Sequence, residues 1–166
     1  MAYHYAIGGI LFGTFAAMLA ACAHAGAAPG GPSMASTETT YALLPARLCL
    51  DADAATWQAL RSGATRLALH LHHRTPSGRN GPTLTLRLAG DAKTRRDIET
   101  LTPGIDNRTE AGPVPQHFLI DLAQALAGVD EAKQVCVEID VAQAELDKEL
   151  AAQHVTISAD WQAIRK

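Results

Sequence analysis

The densest run of groups able to do chemistry is His70-Leu71-His72-His73. In an extended strand, residues two apart share a face, with Cα atoms roughly 6.6–6.8 Å apart. His70 and His72 therefore project the same way, as His-x-His pairs do in β-rich sites that hold zinc or copper. A full site needs further ligands, and Glu138, Asp140, His117 and His154 are the candidates. Spacing supplies only two of them, which favours the plainer reading of a solvated strand face with incidental imidazoles. His73 falls in the phase of the neighbouring leucines and reads as part of the strand's exit. A second feature is basic: Arg74, Arg79 and Arg87 surround a turn-rich stretch, and such a tip can contact an anion, an acidic envelope polymer or a partner protein. Its plainer reading is a solubilising loop.

Other chemistry is missing from the chain. There is no Gly-x-Ser-x-Gly elbow, no phosphate-cradling Gly-rich loop ending in Lys-Ser or Lys-Thr, and no Cys-x-x-Cys. Asp51 and Asp53 share a strand phase, but Asp53 is better placed as a helix cap. A non-enzymatic protein is expected. The net charge of −3 gives no general attraction to nucleic acid.

The elements that would carry these residues are mostly short and alternating. Residues 47–51 and 66–73 alternate leucine with other types, and so do residues 84–88. Residues 75–82 (TPSGRNGP) are turn formers, so strands 66–73 and 84–88 are expected to form one hairpin. Asp53 caps a short helix over residues 54–62, stopped by Gly63. Residues 91–101 read as a short polar helix, and 116–121 as a strand leading into a turn capped by Asp121. Residues 135–141 alternate Val and Ile with Cys, Glu and Asp. Residues 142–153 are helix-prone, and 155–161 form a last strand. About six alternating strands with two or three short helices predict a mainly β chain, an antiparallel β-sandwich of jelly-roll or immunoglobulin-like type.

The segment Phe118-Leu119-Ile120-Asp121-Leu122, followed by the 135–141 strand, resembles part of the jelly-roll sugar-binding sandwiches. That resemblance supports the sandwich and makes a glycan-binding module a third functional reading. Aromatic residues are only 5% of the chain, and beyond residue 40 only Tyr41, Trp57, Phe118 and Trp161 remain to stack on a sugar.

Residues 6–21 (AIGGILFGTFAAMLAA) form an uncharged, mostly apolar run, shorter than the roughly 20 residues a spanning helix needs. Small residues follow at once, the pattern of a secretory leader. Leu19-Ala20-Ala21-Cys22 resembles the lipobox of bacterial lipoproteins. The resemblance implies a signal peptide over 1–21 and a diacylglycerol thioether on Cys22, with acyl chains such as palmitate in the membrane. The n-region, Met1-Ala2-Tyr3-His4-Tyr5, departs from the usual pattern in having no Lys or Arg; cleavage after Ala25 is the alternative. Ala23 is not the Asp that resembles an inner-membrane retention signal, so the periplasmic side of the outer membrane is the expected address. Residues 22–40, rich in Ala, Gly, Pro, Ser and Thr, read as a flexible tether, and 41–166 as the folded domain.

Of three cysteines, Cys22 is taken by lipid or lost with the leader. Cys49 and Cys136 remain as a pair in an oxidising compartment and are expected to form a disulfide. Each occupies the non-core phase of its strand, so strand 47–51 should lie beside strand 135–141. The leading functional reading is a lipid-anchored binding or assembly module; the runner-up is a periplasmic zinc- or copper-binding protein using His70 and His72. Mass spectrometry of the protein from its native membrane should find Cys22 at the N-terminus, carrying diacylglycerol. An intact Met1 terminus would refute the leader reading.

Overall fold

Most strands bury alternate side chains, and the buried sets face one another across two layers. The computed structural model describes residues 34–73, 80–90, 94–104, 108–109, 112–113 and 115–165. Cys22, the segment 1–21 expected to be a leader, Arg74 and Arg79 lie outside them. In chain order the elements are β1 (Ala35–Thr40), β2 (Ala46–Asp51), α1 (Ala54–Arg61), β3 (Thr65–His73), β4 (Leu84–Leu88), β5 (Arg96–Leu101), β6 (Arg108–Thr109), β7 (Gly112–Pro113), β8 (Gln116–Ile120), β9 (Gln134–Val141), α2 (Lys148–Ala151) and β10 (His154–Ala163). Single 3-10 turns occupy Tyr41–Leu43 and Gln143–Glu145.

Two antiparallel four-stranded sheets result, with strand orders β1-β10-β3-β8 and β2-β9-β4-β5. Strands β6 and β7 form a separate two-stranded ribbon. Apart from β4 to β5, every step between successive sandwich strands changes sheet. That alternation is the jelly-roll arrangement, two interlocked Greek keys, rather than the immunoglobulin one. Between the layers lie Leu67, Leu69 and Leu71 of β3, Leu84, Leu86 and Leu88 of β4, and Val137 and Ile139 of β9, with Ile157 of β10 among them.

β3 and β4 belong to opposite sheets, so the expected hairpin between them does not form. Both strands carry the same leucine alternation because both line the same core, one from each side. Residues 96–101, expected in a polar helix, are instead an edge strand. Pairing with β4 and burial of Leu101 override the helix propensity of the charged residues there. The sandwich also begins earlier than expected: the six residues of β1, assigned to the tether, pair with β10 from Ala35↔Ala159 to Thr40↔His154. Their small polar side chains suit an edge strand with one wet face. The helix-prone stretch 142–153 is divided into a 3-10 turn and α2.

Other expectations hold. Asp53 Oδ1 caps α1 by accepting from Thr56 N–H (2.8 Å), and Gly63 follows at φ +70°, a conformation that suits glycine. Asp121 Oδ1 accepts from Ala123 N–H (2.9 Å) to start the turn that ends at Gly128. Strand β2 pairs with β9, and Cys49 sits directly opposite Cys136 and is bonded to it. The Cys136 carbonyl accepts from Ala89 N–H on the other side of β9. The cysteines therefore occupy a non-hydrogen-bonded pair, where facing Cα atoms approach most closely.

The bridge closes a loop with a sequence separation of 87. In the chain-entropy account this constrains the unfolded state by about 4–5 kcal/mol. The Cys49→Ala/Cys136→Ala protein should lose about that much in urea unfolding. A loss under about 1 kcal/mol would show that the bond adds little to a register already set by packing.

Candidate functional site

The outward faces of the two sheets hold the polar side chains, and they are built differently. On the β1-β10-β3-β8 sheet one outward row runs Ser36, Ser158, His70, His117. The next contains Glu38, Thr156 and His72, and the next Thr40 and His154. On the other side of His70 the row contains Asp160, Ala68 and Leu119.

His70 is the hub. Its Nδ1 lies 2.5 Å from Nδ1 of His117, and its Nε2 lies 3.2 Å from Oδ2 of Asp160. The two rings meet edge to face, with centroids 4.6 Å apart and planes at 85°. The side chains of His70 and Asp160 are 23% and 31% exposed, so the cluster is open to solvent yet held in place. A carboxylate oxygen only accepts, so His70 donates its Nε2–H to Asp160. In the tautomer that donates from Nε2, the Nδ1 lone pair faces His117.

The structure thus pairs His70 with His117 rather than with His72. Directly opposed residues on antiparallel strands have Cβ atoms roughly 4.5–5.5 Å apart, closer than the Cα spacing of two residues along one strand. His72 shares the face and is exposed, and so is His154. Glu138 and Asp140 are removed from contention because they lie on the opposite outer face, on β9 in the other sheet. His73 points inward, is buried, and accepts at Nε2 from Gln116 Nε2–H (2.9 Å). Among the described residues no group of three or more His, Cys, Asp or Glu side chains is gathered as metal ligands. Asp160 escaped the sequence reading. Its outward phase in β10 is visible there, but the adjacency of β10 and β3 is not.

Of the basic tip expected from Arg74, Arg79 and Arg87, only Arg87 lies among the described residues. Arg87 lies on the outer face of the β2-β9-β4-β5 sheet between two carboxylates. Its Nε donates to Asp97 Oδ1 and its Nη1 to Asp140 Oδ2, each at 2.8 Å. Hydrogen bonds to Asp97 and then Asp140 raise the guanidinium pKa further above its ordinary value. Arg95 pairs with Glu138 on the same face, which also carries the disulfide. This surface answers its own charges.

The tryptophans are structural. Trp57 is 2% exposed and donates Nε1–H to Ala132 O (2.7 Å), with the Arg61 guanidinium 5.1 Å from its ring centre. Trp161 donates Nε1–H to Asp51 O (2.8 Å). A buried Trp57 offers no stacking face to a sugar. The cleft over α1, about 520 Å³ and lined by Ala54, Gln58, Arg61, Ser62 and Glu131, shares no residue with the histidine row. No helix among the described residues is long and apolar enough to cross a membrane.

No protein-family model and no curated protein matches the chain. Arg87→Met should cost roughly 0.5–1 kcal/mol by removing the cation held between Asp97 and Asp140. The deficit should shrink in 1 M salt, where screening weakens the pairs that the substitution removes. Urea titrations at low and high salt measure both effects.

Proposed function

We propose that this chain is a lipid-anchored protein of the bacterial envelope, on the periplasmic side of the outer membrane. Its sandwich is a non-enzymatic binding or assembly module that presents the outer face of the β1-β10-β3-β8 sheet to another envelope component. The observation that carries this reading is the difference between the two outer faces. One is closed by ion pairs among Arg87, Asp97, Asp140, Arg95 and Glu138 and by the disulfide. The other displays exposed His72, His154 and Glu38, with Leu119 47% exposed beside the His117 position. This face also carries the pairs Arg66–Asp121 and His70–Asp160, but His72, His154 and Glu38 are exposed beside them. Polar groups bordering an apolar side chain are what a partner surface needs to exchange water for direct contacts.

The lipobox-like Leu19-Ala20-Ala21-Cys22 supports the anchor, and residues 23–34 are small and Gly/Pro-rich enough to tether the sandwich. Confinement near a membrane raises the effective concentration of the module toward membrane-bound partners, which lets a modest face bind usefully.

Placing p-benzoylphenylalanine at His72, at His154, or at Arg47 on the opposite face tests the choice of surface in intact cells. Illumination should give discrete adducts from positions 72 and 154 and none from 47. Equal adducts from all three, or adducts from 47 alone, would refute this face as the binding surface.

A further inference from the structure

We propose that His70 and His117 form a binding site for a divalent transition-metal ion, zinc or copper(II), held between their Nδ1 atoms, with Asp160 as the carboxylate that positions His70. A metal ion here requires no protein partner, so the assignment is independent of which surface binds one.

Three features converge. The first is the facing pair of Nδ1 atoms, supplied by adjacent strands whose register is set by the core. The second is Asp160 on the far nitrogen of His70. Metal-binding histidines almost always donate their second N–H to a carboxylate, carbonyl or water, which sets the tautomer and raises the basicity of the ligating nitrogen. Here the carboxylate and the lone pair stand on opposite sides of one ring, as that arrangement demands. The third is access: the cluster is on an outer face and partly exposed, so an ion can enter and retain water on its open positions.

Tetrahedral coordination at roughly 2.0–2.1 Å from each nitrogen places the two nitrogens about 3.3 Å apart. The present separation is 2.5 Å. Small rotations of two partly exposed side chains supply the difference without moving either strand. With two imidazoles and water, the site favours copper(II) over zinc. Its open positions can accept a further ligand from outside the chain. Asp160 takes no place in the coordination sphere and is a positioning residue.

Calorimetric titration of the purified, disulfide-intact protein with zinc sulfate and with copper sulfate tests the site. One ion per chain should bind, more tightly for copper. His70→Ala and His117→Ala should each weaken binding at least tenfold. Asp160→Ala should weaken it roughly 10-fold, and Asp160→Asn, whose amide oxygen still accepts from Nε2–H, should recover part of the loss. The copper electron paramagnetic resonance spectrum should show coupling to two imidazole nitrogens in the parent and in Asp160→Ala, because the orienting group is not a ligand. His72→Ala and His154→Ala should stay within threefold of the parent. Circular dichroism establishes that each variant is folded. Absence of saturable binding below 100-fold molar excess of metal, or equal losses from His72→Ala and His117→Ala, would overturn the assignment.

Discussion

The two-residue period of β3 is the constraint on which the rest depends. Leu67, Leu69 and Leu71 are fully buried, so the strand cannot slip by one residue without exchanging three leucines for solvent. With that phase held, His70 and His72 must face outward. The same rule applied to β8 buries Ile120 and turns His117 out, and applied to β10 it buries Val155, Ile157 and Ala159 and turns Asp160 out. Pairing then brings the three groups together. Ala68, between Asp160 and Leu119 in the neighbouring row, carries only a methyl group and leaves room for the diagonal approach of Asp160 to His70. The polar cluster is therefore a by-product of apolar order: burial sets the phase, and phase sets the neighbours.

Phase is also what could be read in advance, and neighbours are what could not. The alternation in residues 47–51, 66–73, 84–88 and 135–141 identified each of those strands and its inward face. Cysteines in matching phase even identified one adjacency, because covalent pairing in an oxidising compartment ties together segments far apart in sequence. Elsewhere adjacency was invisible. The turn formers at 75–82 suggested a hairpin, yet a chain crossing from one sheet to the other uses the same residues. Leucines lining one core from opposite sides carry the same pattern as leucines on two paired strands. The charged stretch 96–101 looked helical because local propensity does not register an unpaired strand waiting for a partner. The candidate site suffered for the same reason. His70 was found through its neighbour along the strand, whereas its closest partners, His117 and Asp160, come from strands that only the folded topology places beside it.

The two outer faces of the sandwich are built differently. The face built on β2, β9, β4 and β5 combines a covalent link with ion pairs whose members sit in adjacent strands. Individually such exposed pairs contribute little, but a shared cation between two carboxylates couples three strands at one point. The opposite face carries Arg66–Asp121 and His70–Asp160. It retains imidazoles, hydroxyls and an apolar side chain at its surface, the raw material of recognition.

Strand β1 pairs along its whole length with β10, joining Ala35 to Ala159 and Thr40 to His154. The sheet that bears the histidines is thus completed by segments from opposite ends of the described chain. Few of its contacts are local, a topology associated with folding in milliseconds to seconds rather than microseconds. Without β10, β1 would have no strand to pair with and β3 would keep an open edge. Asp160 therefore meets His70 only where β10 has paired with β3, so the carboxylate and the imidazoles come from strands that the sheet alone brings together.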